Sequence, residues 1–196
     1  MIDLIDEEKV FRPGSNRKES TAQFHKTTVL IVDNFYENPE LVRDLALKIP
    51  PTYHTHRGAY PGSMVNASYD MRQLAPVYWD YIERYFPHKL SKDYVDWNID
   101  NATFMVNVMQ SPGNEELYPH IDNPSGDNFA STIYLNTPEE CSGGTGFYDY
   151  DEYYTGMVDM KFNRMILYLQ NVHHTAIMRK GSFTGDLYRL NQQFFI

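Results

Sequence analysis

"FNRMILYLQNVHHTAI", residues 162–177, is an apolar strand running straight into a histidine pair, His173-His174. Adjacent residues of a strand face opposite sides, so only one of the two histidines can share a face with a given partner. The surrounding C-terminal half has the same texture. Short strands are expected at 103–109, 118–122, 129–136, 145–149, 156–160, 164–170, 173–178 and 187–195, punctuated by Ser-Pro-Gly, Asn-Pro-Ser-Gly-Asp and Ser-Gly-Gly turns. So many short strands in under half the chain predict a sandwich or jelly roll of antiparallel strands, with no internal repeat.

The N-terminal part reads differently. "RPGSNRKESTAQ", 12–23, is polar and carries Pro and Gly, so residues 1–23 are expected to form a flexible arm and 24–196 the folded domain. "TTVLIVDNF", 27–35, predicts a buried strand closed by a turn. In "NPELVRDLALKI", Asn38 is a plausible N-cap, Pro39 opens the helix, and Leu41, Val42, Leu45, Ala46 and Ile49 recur at helical spacing up to Pro50-Pro51. A His-, Tyr- and Gly-rich loop is expected over 52–69, then a helix from about Met71 to Tyr85 with a break or new start at Pro76. The fold class is therefore mainly β with N-terminal helices.

Composition narrows the function. The 196 residues are 42% hydrophobic with a formal net charge of −9, and no Lys/Arg run offsets it, so nucleic acid is a poor partner. No stretch is long enough to span a membrane, and the start, MIDLIDEEK, is acidic where a signal peptide would be basic, so a cytoplasmic location is expected. Cys141 is the single cysteine, leaving His and carboxylates as the available metal ligands.

Such ligands occur in "YPHIDNP", 118–124. On an extended segment, His120 and Asp122 point to one face and could enter one coordination sphere; on a helix they would diverge. Among seven histidines and 26 acids such a pair also arises from composition, so the case needs a third ligand. His173 or His174 would supply it from another strand, giving the two-histidine, one-carboxylate set of non-heme Fe(II) oxygenases. Arg189 sits among apolar neighbours in "GDLYRLNQQFFI", 185–196, where a guanidinium wants an anionic partner to grip bidentately.

With these elements in place the chain resembles the Fe(II)- and 2-oxoglutarate-dependent oxygenases, on the prolyl-hydroxylase-like side, within a short, uncharacterised subgroup. The resemblance covers roughly 27–196. It rests on "VLIVDNF", "SPG" before "HID", "ASTIYLN", "GGTGFY", "NRMILYLQNVHHT" and "RLNQQFF", taken in order. It implies a double-stranded β-helix in which His120, Asp122 and a distal histidine hold Fe(II) and Arg189 binds 2-oxoglutarate, with O2 as co-substrate. His174 is favoured over His173 because a hydroxyl residue, Thr175, follows it. Asn107 and Gln110 fall where relatives carry a polar 2-oxoglutarate contact. Asp122 argues for hydroxylation, since the halogenases of the superfamily have a small residue there. A longer segment than usual separates His174 from Arg189, which makes Arg179 and Lys180 rival anion binders.

The substrate expected from the charge is a small molecule, with amino-acid-derived compounds among the candidates and a peptide or protein side chain as the alternative. A non-catalytic jelly-roll binding module and a zinc hydrolase are the competing readings. His54 and His56 in "YHTHR" lie on a loop-like segment and suit the substrate mouth better than a second metal site. "FYDYDEYYTG", 147–156, fits a solvated hairpin.

Overall fold

The computed structural model describes residues 5–49, 53–55, 62–87, 101–107, 118–124, 128–140, 142–177 and 189–196. Strands dominate. In chain order they are β1 (Lys18–Phe24), β2 (Thr27–Asp33), β3 (Tyr53–Thr55), β4 (Gly62–Ser68), β5 (Asn101–Asn107), β6 (Phe129–Tyr134), β7 (Gly144–Tyr148), β8 (Tyr154–Asp159), β9 (Arg164–Leu169), β10 (His174–Ile177) and β11 (Arg189–Phe195). Three α-helices accompany them among the described residues: α1 (Glu7–Val10), α2 (Pro39–Lys48) and α3 (Ala75–Tyr85). The strands form an eight-stranded sheet, ordered β1-β2-β9-β6-β11-β5-β4-β3, and a three-stranded sheet, β10-β7-β8. Every strand pairing among the described residues is antiparallel.

The continuous apolar strands follow from burial on both faces of the large sheet. Along β9, Met165 and Leu167 pack toward the helices with Phe35, Val42, Leu45, Tyr78 and Ile82. Ile166 and Tyr168 point the other way and pack with Phe147 and Val158 of the small sheet. β6 alternates in the same way. Ser131 meets the Tyr78 hydroxyl of α3 at 2.9 Å, while the Tyr134 hydroxyl meets Thr145 Oγ1 of β7 at 2.7 Å. Two layers of side chains thus flank the large sheet, and the layer facing β7 and β10 encloses the candidate site.

Helix α2 begins as the sequence predicts, with Asn38 at the N-cap and Pro39 in the first turn, and Val42, Leu45 and Ala46 form its buried face. The Asn38 side chain makes no capping bond; its amide donates to the Lys9 carbonyl at 3.3 Å. Pro76 opens α3 just after a 3-10 turn over Arg72–Leu74, because a proline in the first turn has no helical hydrogen bond to lose.

Several expectations need correction. Residues 18–23, assigned to a flexible arm, lie in β1, which pairs in full with β2 from Lys18↔Asp33 to Phe24↔Thr27. Val10 and Phe11 precede it in the core, and Phe11 is 0% exposed. Composition misled because β1 is an edge strand whose outward residues are polar, while the apolar anchors lie further upstream. The 52–69 loop contains β3 and β4, so His54 sits on a strand; His56 lies outside the described residues.

The strand expected over 118–122 is reduced to one bridge, His120↔His174. Beyond it, the N–H groups of Asp122 and Asn123 both donate to the Gln170 carbonyl, at 3.1 and 3.2 Å, in place of a continued ladder. Arg179 and Lys180 lie outside the described residues.

Candidate metal centre

Two backbone hydrogen bonds build the bridge: His120 N–H to the His174 carbonyl and His174 N–H to the His120 carbonyl, each 3.0 Å. Directly opposed residues of an antiparallel pair project to the same side. The two imidazoles therefore meet, with ring centroids 4.4 Å apart. Asp122, held by its N–H on Gln170, returns to this side. One of its oxygens lies 3.7 Å from His120 Nε2 and the other 3.4 Å from His174 Nε2. One ligand atom from each of the three residues lies within 4.8 Å of the others. Metal–ligand bonds of about 2.1 Å place adjacent ligands roughly 3 Å apart, a spacing close to the two carboxylate–imidazole distances.

The electrostatics suit a cation. Burial, reinforced by the facing His174, pushes the His120 pKa down to about 4 against the opposing pull of Asp122. His174 is also lowered, chiefly by burial. Both rings are neutral at pH 7 and present lone pairs. His174 Nδ1 lies 2.9 Å from the Val172 carbonyl, so the proton sits on Nδ1 and Nε2 faces Asp122.

Parity separates the two distal candidates. His174 is buried in the triad. His173 lines a separate cavity of about 300 Å³ with His25, Tyr85 and Tyr148.

Arg189 opens β11 and is 5% exposed. Its Nη2 lies 3.4 Å from Thr145 Oγ1 and 3.5 Å from the Gly144 carbonyl, its guanidinium lies 5.9 Å from the Tyr134 ring centre, and its Nε has no hydrogen-bond partner among the described residues. Among the described residues no carboxylate pairs with it. Thr145 stands two residues from Phe147, the register partner of His174, so Arg189 reaches into the side of the small sheet that carries His174. Asn107 is the register partner of Arg189 on β5, and Gln110 lies outside the described residues.

Sequence reasoning missed Thr145, Tyr134 and Gln170. Only the strand register, which the chain does not spell out locally, brings them to the site. The Tyr-rich segment behaves as a solvated hairpin: Tyr150 and Tyr153 are exposed, and Asp149 Oδ1 accepts the N–H groups of Asp151 and Tyr153 at 3.0 and 2.9 Å.

Fold and site together define a mainly-β protein of two antiparallel sheets with a His-Asp-His candidate metal centre. The chain belongs to the family of unknown function DUF6445, whose model matches residues 15–154. No curated protein matches it in sequence. Among solved structures it is similar to a prolyl-4-hydroxylase from Pseudomonas putida, at 15% identity and a TM-score of 0.45 over 96% of this chain and 95% of that one. It is likewise similar to a candidate oxygenase from Shewanella oneidensis, at 12% identity and a TM-score of 0.45 over 96% and 84%.

Among the described residues no helix is long and apolar enough to cross a membrane.

Proposed function

We propose that the protein is an Fe(II)- and 2-oxoglutarate-dependent dioxygenase on a double-stranded β-helix. Its reaction hydroxylates a C–H bond of a small, amino-acid-like molecule. The observation that carries this reading is the triad. Two neutral imidazoles and one carboxylate converge from a single bridge, a donor set that suits ferrous iron and leaves neighbouring coordination positions for other ligands. The resemblance of the sequence to that oxygenase group points the same way.

His120 and His174 would hold the metal through Nε2, and Asp122 through its carboxylate. The Val172 carbonyl keeps the His174 proton on Nδ1, so that Nε2 stays free to bind. Arg189 supplies the anion site: a buried guanidinium without an acid among the described residues favours a carboxylate from outside. Thr145 lies beside it and can share that carboxylate. Phe147, Tyr168 and Ile166 form the apolar wall that keeps water from the reacting centre. Bound iron supplies the redox chemistry: R–H, O2 and 2-oxoglutarate give R–OH, succinate and CO2. Asp122 occupies the position a halide would need, which favours hydroxylation.

The test is succinate formation from 2-oxoglutarate by the Fe(II)-loaded protein in air. Turnover that requires iron and oxygen, and is lost in His120→Ala, supports the reading. Succinate at the rate of an iron-only control removes it.

A further inference from the structure

The turn between β9 and β10, residues 169–172, meets two of the three candidate metal ligands through its main chain. It closes with the Val172 N–H on the Leu169 carbonyl at 3.3 Å. The Val172 carbonyl lies 2.9 Å from His174 Nδ1, and the Gln170 carbonyl accepts the N–H groups of Asp122 and Asn123 at 3.1 and 3.2 Å. His174 is also fixed by its reciprocal backbone bonds with His120, each 3.0 Å. Asp122 stands outside that bridge and reaches the histidines through an N–H on a carbonyl it shares with Asn123. Its placement is therefore only as firm as the placement of Gln170.

Gln170 is fastened to the large sheet. The residue is 5% exposed; its N–H donates to the Asn128 carbonyl at 2.9 Å, and its side-chain Nε2 donates to the Phe129 carbonyl at 2.8 Å. The Phe129 carbonyl already accepts the Ile196 N–H at 2.8 Å, so the amide engages its second lone pair. An apolar side chain at 170 would leave that carbonyl with a partner and would spare the desolvation of a buried amide. What the side-chain bond adds is a second attachment for the residue whose own carbonyl receives Asp122.

We propose that Gln170 is a positioning residue of the metal centre, an inference that rests on the metal site of the oxygenase reading. Its side-chain amide clamps the β9–β10 turn to Phe129 at the start of β6. The clamp keeps the Asp122 carboxylate beside His120 Nε2 and His174 Nε2, at 3.7 and 3.4 Å. Gln170 touches no metal and acts through Asp122, as residues behind a ligand do when they set its orientation.

The test compares the full-length wild type with Gln170→Met, which keeps the length of the side chain and removes its N–H donor. Ni(II) is the probe, because nitrogen ligands hold it tightly enough for binding to be followed after one ligand is lost. By equilibrium dialysis, Gln170→Met should lose Ni(II) affinity about 10-fold to 100-fold. In an Asp122→Ala background the same change should alter affinity by less than about twofold, because the residue through which Gln170 acts is gone. Amide hydrogen exchange of the metal-free protein supplies a second readout. The Asp122 and Asn123 amides should exchange about 10-fold faster in Gln170→Met, while those of α2 keep their rates.

Unchanged Ni(II) affinity overturns the proposal. An equal loss in both backgrounds does the same, since the effect would then not pass through Asp122. A variant that unfolds, or whose amides exchange faster throughout the chain, also overturns it, because Gln170 would then serve the fold. A wild type that binds no Ni(II) would count against the metal centre; the exchange comparison needs no metal and would still show whether Gln170 holds Asp122.

Discussion

His120 and His174 face each other across an isolated antiparallel bridge whose two backbone hydrogen bonds are each 3.0 Å long. The bridge makes the two imidazoles a preset pair, and the hydrogen bond from the Asp122 N–H to the Gln170 carbonyl holds the carboxylate beside them. Positioning of the ligands therefore comes from backbone hydrogen bonds, which the side chains do not have to supply. His174→Ala and Asp122→Ala should each retain the fold, as read by circular dichroism. Each should lose Fe(II) or Co(II) affinity by more than the ~10–100-fold typical of outer-shell changes, measured by equilibrium dialysis. Wild-type affinity in either variant would remove that residue from the ligand set.

Arg189 is a buried cation without an acid among the described residues, so affinity and stability should move in opposite directions when it is replaced. Arg189→Met should raise unfolding stability by about 1 kcal/mol or more while abolishing 2-oxoglutarate binding. Arg189→Lys should weaken that binding, because a point charge does not reproduce the bidentate fork. Calorimetric titration and urea unfolding read the two quantities. A destabilised Arg189→Met would mean that the guanidinium serves the fold.

Acid should destabilise the metal-free protein through the same histidines. In the unfolded chain they take up protons near 6.5. In the folded protein His120 does so only near 4, and His174 is lowered too. Their contribution is fully present above about 6.5 and is lost as the pH falls toward 4, because the unfolded state binds the protons first. Urea midpoints measured from pH 7.5 to 4 should fall across this window. The fall should be shallower in a His120→Gln, His174→Gln double variant; identical profiles would contradict the assigned environment.

Phe11 tests the corrected N-terminal boundary. Fully buried against Tyr36 and Tyr69, it should cost roughly 3–5 kcal/mol when changed to alanine. A flexible arm would give no change in the urea midpoint.

The strands of the C-terminal half were legible because "RMILYL" and "ASTIYLN" are apolar or small on successive positions, as burial on both faces of a sheet demands. His120, Asp122 and His174 were legible through spacing and parity, which survive even where the strand shrinks to one bridge. The edge strand β1 was hidden because its outward residues are polar, and its pairing depends on β2 more than on its own pattern. Thr145 and Tyr134 were hidden for another reason. Their importance comes from register across β6, β7 and β11, which leaves no local signature.

An anaerobic titration of metal-free protein with Fe(II) and then 2-oxoglutarate, followed by visible absorption, tests the metal centre and its co-substrate together. The weak band that a 2-keto acid gives on chelating ferrous iron should appear, saturate at one equivalent and be absent in Asp122→Ala. Iron binding without a band would contradict the 2-oxoglutarate assignment, and no binding of either would contradict the metal centre itself.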